Sequence, residues 1–289
     1  MAITSAEIMK LRAQTGAGMM DCKNALEEAG GDAEKAADIL RKKGIVKAAK
    51  RADKVAADGK VVTAISGDKK SGVIIEINSE TDFVAKSEDF ATFSNSVSEA
   101  VLGNNPASLE ASNNLKLSTG KTVSEAVSEL TLKIGEKIGV RRFARLESGL
   151  VASYLHGSKI GVLVALDGGD EALAADLAMH IAAANPKCAT RDQVDSTEVE
   201  KERAVYVDQL KAQGKPEKII DNIVKGKLDK FYSEICLVEQ AFIKDEEKTI
   251  KQLLEKAGAT LKGFVRYELG EGIEKVAKDF AAEVAEQIK

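Results

Sequence analysis

Tryptophan is absent from the 289 residues and aromatics amount to only 4%, so any core must be aliphatic and alanine-rich. The three cysteines, Cys22, Cys188 and Cys236, are an odd, widely spaced set with no CxxC pair. That points to reduced thiols rather than a disulfide framework or a thiolate zinc site. Only two histidines occur, His156 and His180, neither in a metal-ligand spacing. With no Ser/His/Asp or Cys/His set beside them, catalysis by covalent or acid–base chemistry has no residues to run on, and no metal or cofactor is expected. No stretch reaches the ~20 apolar residues that cross a bilayer, and the N-terminus lacks a signal-peptide core. The expectation is a cytoplasmic protein with no membrane partner. A net charge of −4 and a pI of about 5.6 argue against a protein built chiefly to hold nucleic acid.

What remains is an ordinary globular composition, 44% hydrophobic and 30% charged, long enough for about two domains. Residues 1–52 read as three short helices. Thr4-Ser5-Ala6-Glu7 is a capping box, and Ile8 and Leu11 face a core until Gly16 and Gly18 end the first helix. The second carries Cys22, Ala25 and Leu26. Asp32 caps the third, with Ala36, Ile39 and Leu40 inward and Gly44 expected just past its end. From 41 to 51, Arg41, Lys42, Lys43, Lys47, Lys50 and Arg51 occur with no acid between them. Such a run suits RNA phosphates or a solvated helix face, and the lack of interleaved aromatics favours the latter. A linker is expected at 53–59.

The body reads as written twice. Val61–Ile65, a turn at Gly67-Asp68, and Val73–Ile77 form a hairpin. A helix follows with Phe90, Phe93, Val97 and Val101 inward, then a polar loop to about Gly120. The next helix starts at a Thr122/Glu125 capping box and is expected to turn Val123, Ala126, Val127, Leu130 and Ile134 inward. Gly139–Leu146 closes this half as a strand. The second half repeats the order with a hairpin at Val151–Leu155 and Ile160–Leu166, a helix at Glu171–Ala184, and a closing strand at Leu261–Leu269. Inserted in it, at about 196–231, is an antiparallel helical hairpin turned by Gly214-Lys215-Pro216. Its apolar positions (Val205, Val207, Leu210, Ile219, Ile220, Ile223, Val224 and Leu228) exceed what a projecting arm needs, which admits a homodimer or a 2:2 complex. The fold class is α+β: a three-helix module (1–52), two related subdomains with antiparallel sheets (60–147 and 148–272), and a C-terminal helix (273–289).

Three glycine motifs fail as nucleotide loops. Gly120-Lys121-Thr122 would need a glycine at 115, where Leu115 stands, and Gly16-Ala17-Gly18 and Gly270-Glu271-Gly272 lack their third glycine. The informative stretch follows the run Gly72–Asn78. Asn78-Ser79-Glu80-Thr81 breaks that strand, and Ser87-Glu88-Asp89 reads as a helix start. Asp82 and Phe83 therefore lie between a strand end and a helix start, where a scaffold holds side chains outward. The pattern alone also fits a turn-capping Asp82 and a core Phe83.

Asn78-Ser79-Glu80-Thr81-Asp82-Phe83-Val84-Ala85 resembles a signature of the bacterial-type translation elongation factor Ts family. Leu11–Lys23 resembles that family's second signature, and further matches span nearly the whole chain. The resemblance implies a ubiquitin-associated-like N-terminal module and a guanine nucleotide exchange factor for elongation factor Tu that is not an enzyme. Carried over by motif, Asp82 and Phe83, flanked by Thr81 and Val84, would intrude on the partner and disturb its magnesium and phosphate site. Ile134, in Lys133-Ile134-Gly135-Glu136, and His156, in Tyr154-Leu155-His156-Gly157, would contact the same GTPase domain. Gly16, Gly18, Met19 and Met20, with Asp21 and Lys23, would anchor the N-terminal module. Ile243 and Lys244 would touch a second domain of the partner, and Phe280 in the terminal helix would return to the first. The family often has proline where Ala241 stands, which implies a less rigid loop here. The competing reading is an RNA- or ribosome-associated protein using 41–51.

Overall fold

A computed structural model describes residues 3–274. The chain divides into two units, one of Met1–Val62, Ile75–Phe143 and Glu268–Lys289, the other of Thr63–Ile74 and Ala144–Tyr267. The fold is α+β with antiparallel sheets, as expected.

The chain begins with α1 (Ser5–Thr15), α2 (Met19–Glu28) and α3 (Ala33–Lys50). The Thr4/Glu7 box and the Asp32 cap form as expected. There follow β1 (Asp58–Ile65), β2 (Ser71–Ser79), α4 (Asp82–Ala85), α5 (Glu88–Asn104), α6 (Leu109–Asn113), α7 (Val123–Ile134) and β3 (Ile138–Glu147). The short α6, capped by Ser108, occupies part of what read as a loop. Leu11, Cys22, Ala25, Leu26, Ala36 and Leu40 share one core with Leu132 of α7.

Gly44 does not end α3. It is buried within the helix, where an added Cβ would lie 3.1 Å from the Ser128 carbonyl oxygen, so its bare Cα is what lets α3 lie against α7. This contact also corrects the inward face of α7. Ser128, Thr131 and Leu132 are buried there together with Val123, whereas Ala126, Val127, Leu130 and Ile134 are half-buried. Much of the basic run is engaged by the chain itself. Arg41 pairs with Glu125, Lys43 with Glu28 and Arg51 with Glu80, and Lys47 donates to the Leu132 carbonyl. Within 48–59, Ala48–Lys50 are helical, the Ala52 and Lys54 carbonyls accept from Lys137 Nζ, and β1 begins at Asp58.

The first sheet has the order β1-β2-β3, and its central β2 is buried from Gly72 to Ser79. One of those residues is Glu76, fully buried. It accepts from Arg141 Nη1 at 2.9 Å, Arg142 Nε at 2.6 Å and the Gly270 amide at 2.8 Å. Burial by itself would raise its pKa, but these donors together with Asn78 outweigh that and hold the carboxyl below its ordinary range.

The second sheet has the order β4-β5-β8, from β4 (Leu150–His156), β5 (Ile160–Asp167) and β8 (Thr260–Glu268). Its hairpin register sets Ala152 against Val164. The hairpin, helix, closing-strand order read twice in the sequence thus gives two three-stranded sheets with the same strand order. Between β5 and β8 come α8 (Glu171–Ala184), α9 (Ser196–Ala212), α10 (Glu217–Ile235), β6 (Ala241–Phe242), β7 (Asp245–Thr249) and α11 (Ile250–Lys256). Val162, Val164, Leu177, Ile181, Leu237 and Ile250 lie in this unit's core. The β6–β7 ribbon and α11 were not read from the sequence, although Thr249 and Gln252 form a capping box there. Helices α9 and α10 close on Leu210, Ile220 and Val224, leaving Val205 and Ile219 exposed. The terminal helix expected at 273–289 falls, from 275 onward, outside the described residues.

Candidate functional site

The site is built on the connection from β2 to α5. Thr81 precedes the single turn of α4 in extended conformation, and its amide and hydroxyl both donate to the Glu136 carboxylate, at 2.9 and 2.8 Å. Ser79 Oγ donates to the Thr81 carbonyl. Glu80 pairs with Arg51 and accepts from the Lys137 amide at 2.6 Å. Val84 and Ala85 are buried, so they fasten the turn from below. Ser87 closes it, donating to the Val84 carbonyl and capping α5 through the Phe90 amide.

On this clamped turn Phe83 stands 80% exposed. The core reading of Phe83 is therefore excluded. Asp82 is exposed beside it and pairs with Lys86 at 2.6 Å, and that hydrogen bond holds its carboxyl below the usual range. The same ammonium lies 5.9 Å from the Phe83 ring centroid. Val84 is the exception among the four signature residues, because its burial keeps it from offering a side chain outward.

Several other sequence-derived residues lie in the same unit. Ile134 is the half-buried last residue of α7, two residues ahead of the clamping Glu136. Gly16 caps α1 in the left-handed region (φ 69°), and an added Cβ would meet the Lys133 side chain at 3.0 Å. Lys133 in turn pairs with Asp89 at 2.7 Å, and these residues line a groove of about 460 Å³ with Gln14, Thr15 and Phe93. Met19 and Met20 at the start of α2 are exposed, as are Gly18 and Lys23, while Asp21 is half-buried.

His156, Ile243 and Lys244 belong to the other unit. His156 is exposed at the end of β4 beside the Tyr154 ring. Ile243 is exposed, and Lys244 pairs with Asp176 at 2.7 Å. Their loop is held by the fully buried His180. The Ile243 amide donates to Nδ1 at 3.4 Å, so Nε2 carries the proton and donates to Gln240 Oε1 at 2.9 Å. Gln240 Nε2 continues the chain to the Glu234 carbonyl. Burial pushes the His180 pKa down, keeping it neutral. With Ala241 in the chain, these hydrogen bonds tie the loop to α8 and α10. Phe280 lies outside the described residues.

The chain matches the family described as Elongation factor TS over residues 80–271, which begins at the Glu80–Phe83 turn. The chain belongs to the elongation factor Ts family. Membership carries the family's role in translation elongation, nucleotide exchange on elongation factor Tu. The residues that hold the site in this family member, Glu80, Glu136, Lys133, His180 and Gln240, were not singled out by sequence as positioning groups. For Glu80, Glu136, Lys133 and Gln240 the signal was adjacency to the motif residues; His180, inside α8, had none of that kind. Among the described residues no cluster of histidine, cysteine, aspartate and glutamate could hold a metal, and no helix is long and apolar enough to cross a membrane.

Proposed function

We propose that this chain releases GDP from elongation factor Tu by inserting Phe83, with Asp82 beside it, against the GTPase domain so that the magnesium and phosphate site is displaced. The observation that carries this reading is Phe83 itself, 80% exposed on a turn anchored from below by Val84 and clamped at the side by Glu136. A large ring held in solvent costs stability unless a partner covers it, and a rigid aromatic fills a pocket with little entropy to lose. Mg²⁺ bridges nucleotide phosphates to protein oxygens, so moving its ligands weakens GDP binding without bond chemistry in this chain.

The turn at Gly16–Met20 anchors the N-terminal helices on the same domain, with Met19 and Met20 as apolar contacts. Ile134 and His156 extend that contact, while Ile243 and Lys244 reach a second domain. A second copy would pair through Val205 and Ile219. Coupling is reciprocal: whatever factor the chain takes from GDP affinity, GDP takes from the chain's affinity. The test is release of fluorescent GDP from elongation factor Tu with wild-type chain and with Phe83→Ala. The variant is expected to fold and to lose most of the acceleration; wild-type rates with Phe83→Ala would refute the wedge.

A further inference from the structure

The exchange role employs neither Cys188 nor Cys236, yet the fold brings these two side chains together from 48 residues apart in sequence. Their Sγ atoms lie 3.6 Å apart, and both thiols are free. The backbone there is a parallel bridge. The Leu237 amide donates to the Cys188 carbonyl at 2.9 Å, the Val238 amide to the Ala189 carbonyl at 3.1 Å, and the Lys187 amide to the Ile235 carbonyl at 2.9 Å. Bridged neighbours sit at an inter-strand spacing of about 4.8 Å, within the Cα separations of roughly 4.4–6.8 Å that a disulfide spans. Closing the pair therefore asks for side-chain rotation with a small approach of the two backbones.

We propose that Cys188 and Cys236 form a redox modification site, closing to an intramolecular disulfide on reaction with a small-molecule disulfide such as oxidised glutathione. Cys188, partly exposed at the start of the segment after α8, is the attacking thiolate. It displaces one thiolate from the oxidant and becomes a mixed disulfide. Cys236, fully buried at the end of α10, then loses its proton and attacks the Cys188 sulfur, expelling the second thiolate. Two protein thiols are oxidised and one disulfide is reduced to two thiols. The division of labour is set by environment. Burial, with the Cys188 hydrogen bond, pushes the Cys236 thiol up to about 12, which makes it a poor first nucleophile and, once bonded, a poor leaving group. Closure accordingly starts at Cys188, and a dithiol is needed to reopen the bond.

The new bond would close a covalent ring around the whole α9–α10 hairpin. It would also fix the backbone immediately before Gln240, from which the Ile243–Lys244 loop departs.

The test incubates the full chain with oxidised glutathione, then alkylates the remaining thiols and maps peptides by mass. Expected are a loss of two hydrogens, a Cys188–Cys236 cross-linked peptide, and Cys22 as the one alkylated thiol. The oxidised chain should melt several degrees higher, reversed by dithiothreitol. Cys236→Ser should stop at a glutathione adduct on Cys188. Cys188→Ser should leave Cys236 unmodified, and Cys22→Ser should still close the bond. A wild-type chain that keeps all three thiols, halts at the Cys188 adduct or cross-links through Cys22 overturns the proposal.

Discussion

The two halves of the body differ most where their second strand hands over to a helix. In the first, β2 ends at Ser79 and α5 starts at Glu88, and the intervening 80–87 contains the α4 turn with Phe83. In the second, β5 ends at Asp167 and α8 starts at Glu171, with only Gly168, Gly169 and the capping Asp170 between. Both glycines there have φ above 70°, which suits a tight reversal and presents no side chain. The scaffold needs only the short version. The longer one is clamped by Glu80 and Glu136, and that is where the exposed ring stands.

The cores differ in the same instructive way. Aligned on Gly72 and Gly161, the sequence Gly-Val-Ile-Ile-Glu-Ile-Asn matches Gly-Val-Leu-Val-Ala-Leu-Asp, so buried Glu76 corresponds to buried Ala165. Counted from the caps Ser87 and Asp170, buried Val97 in α5 corresponds to buried His180 in α8. Each half thus carries one polar group where its counterpart is apolar. Each of these groups holds backbone outside its own element: Glu76 the Gly270 turn, His180 the loop of Ile243. A strand or helix does not require them; a fixed loop does.

The largest expected effect tests the first of these. Glu76→Ala copies the second half and should cost about 3 kcal/mol in urea unfolding, because Arg141, Arg142 and the Gly270 amide lose their shared acceptor. The pH dependence has a defined sign. With its folded pKa lowered, Glu76 contributes fully above the ordinary carboxylate range and loses that contribution as pH falls through the folded value. A Glu76→Gln chain should lack this limb of the acid-unfolding curve.

Phe83→Ala, which removes what the short connection never had, should slow accelerated GDP release by roughly thirty-fold, about 2 kcal/mol, with an unchanged melting temperature. Thr81→Val should cost about 1 kcal/mol and lower exchange several-fold by loosening the clamp. A double-mutant cycle with Glu136→Gln should return strong non-additivity. The smallest effect concerns His180. Its folded pKa lies below the unfolded value near 6.5, so stability should decline as pH falls through that value toward the folded one. His180→Gln should flatten this dependence, seen in thermal melts across that range.

Much of the fold was legible in the chain. The capping boxes at Thr4 and Thr122, the helix Glu171–Ala184 and the strands of both halves follow from local periodicity and end signals, whereas the pairing of each closing strand beside its hairpin does not. Gly44 was misread because a glycine after a helical run signals an end, and only the approach of α7 reveals it as a packing position. The β6–β7 ribbon escaped because its strands are short and Asp245–Thr249 is charged, so no apolar alternation marks it. At the site, Asp82 and Phe83 were readable as residues between a strand and a helix. Val84 was grouped with them, yet it is buried, since adjacent positions on a single helical turn point in different directions.

The sequence by itself determined which segments become helices and strands, that the body is doubled, and which motif belongs to the elongation factor Ts family, because all of these are written in neighbouring residues. Only the tertiary structure decided that Phe83 faces solvent, that Glu136 clamps Thr81 from 55 residues away, and that Cys188 meets Cys236. Exposure and long-range pairing depend on how packed elements meet, and no local stretch of chain carries that information.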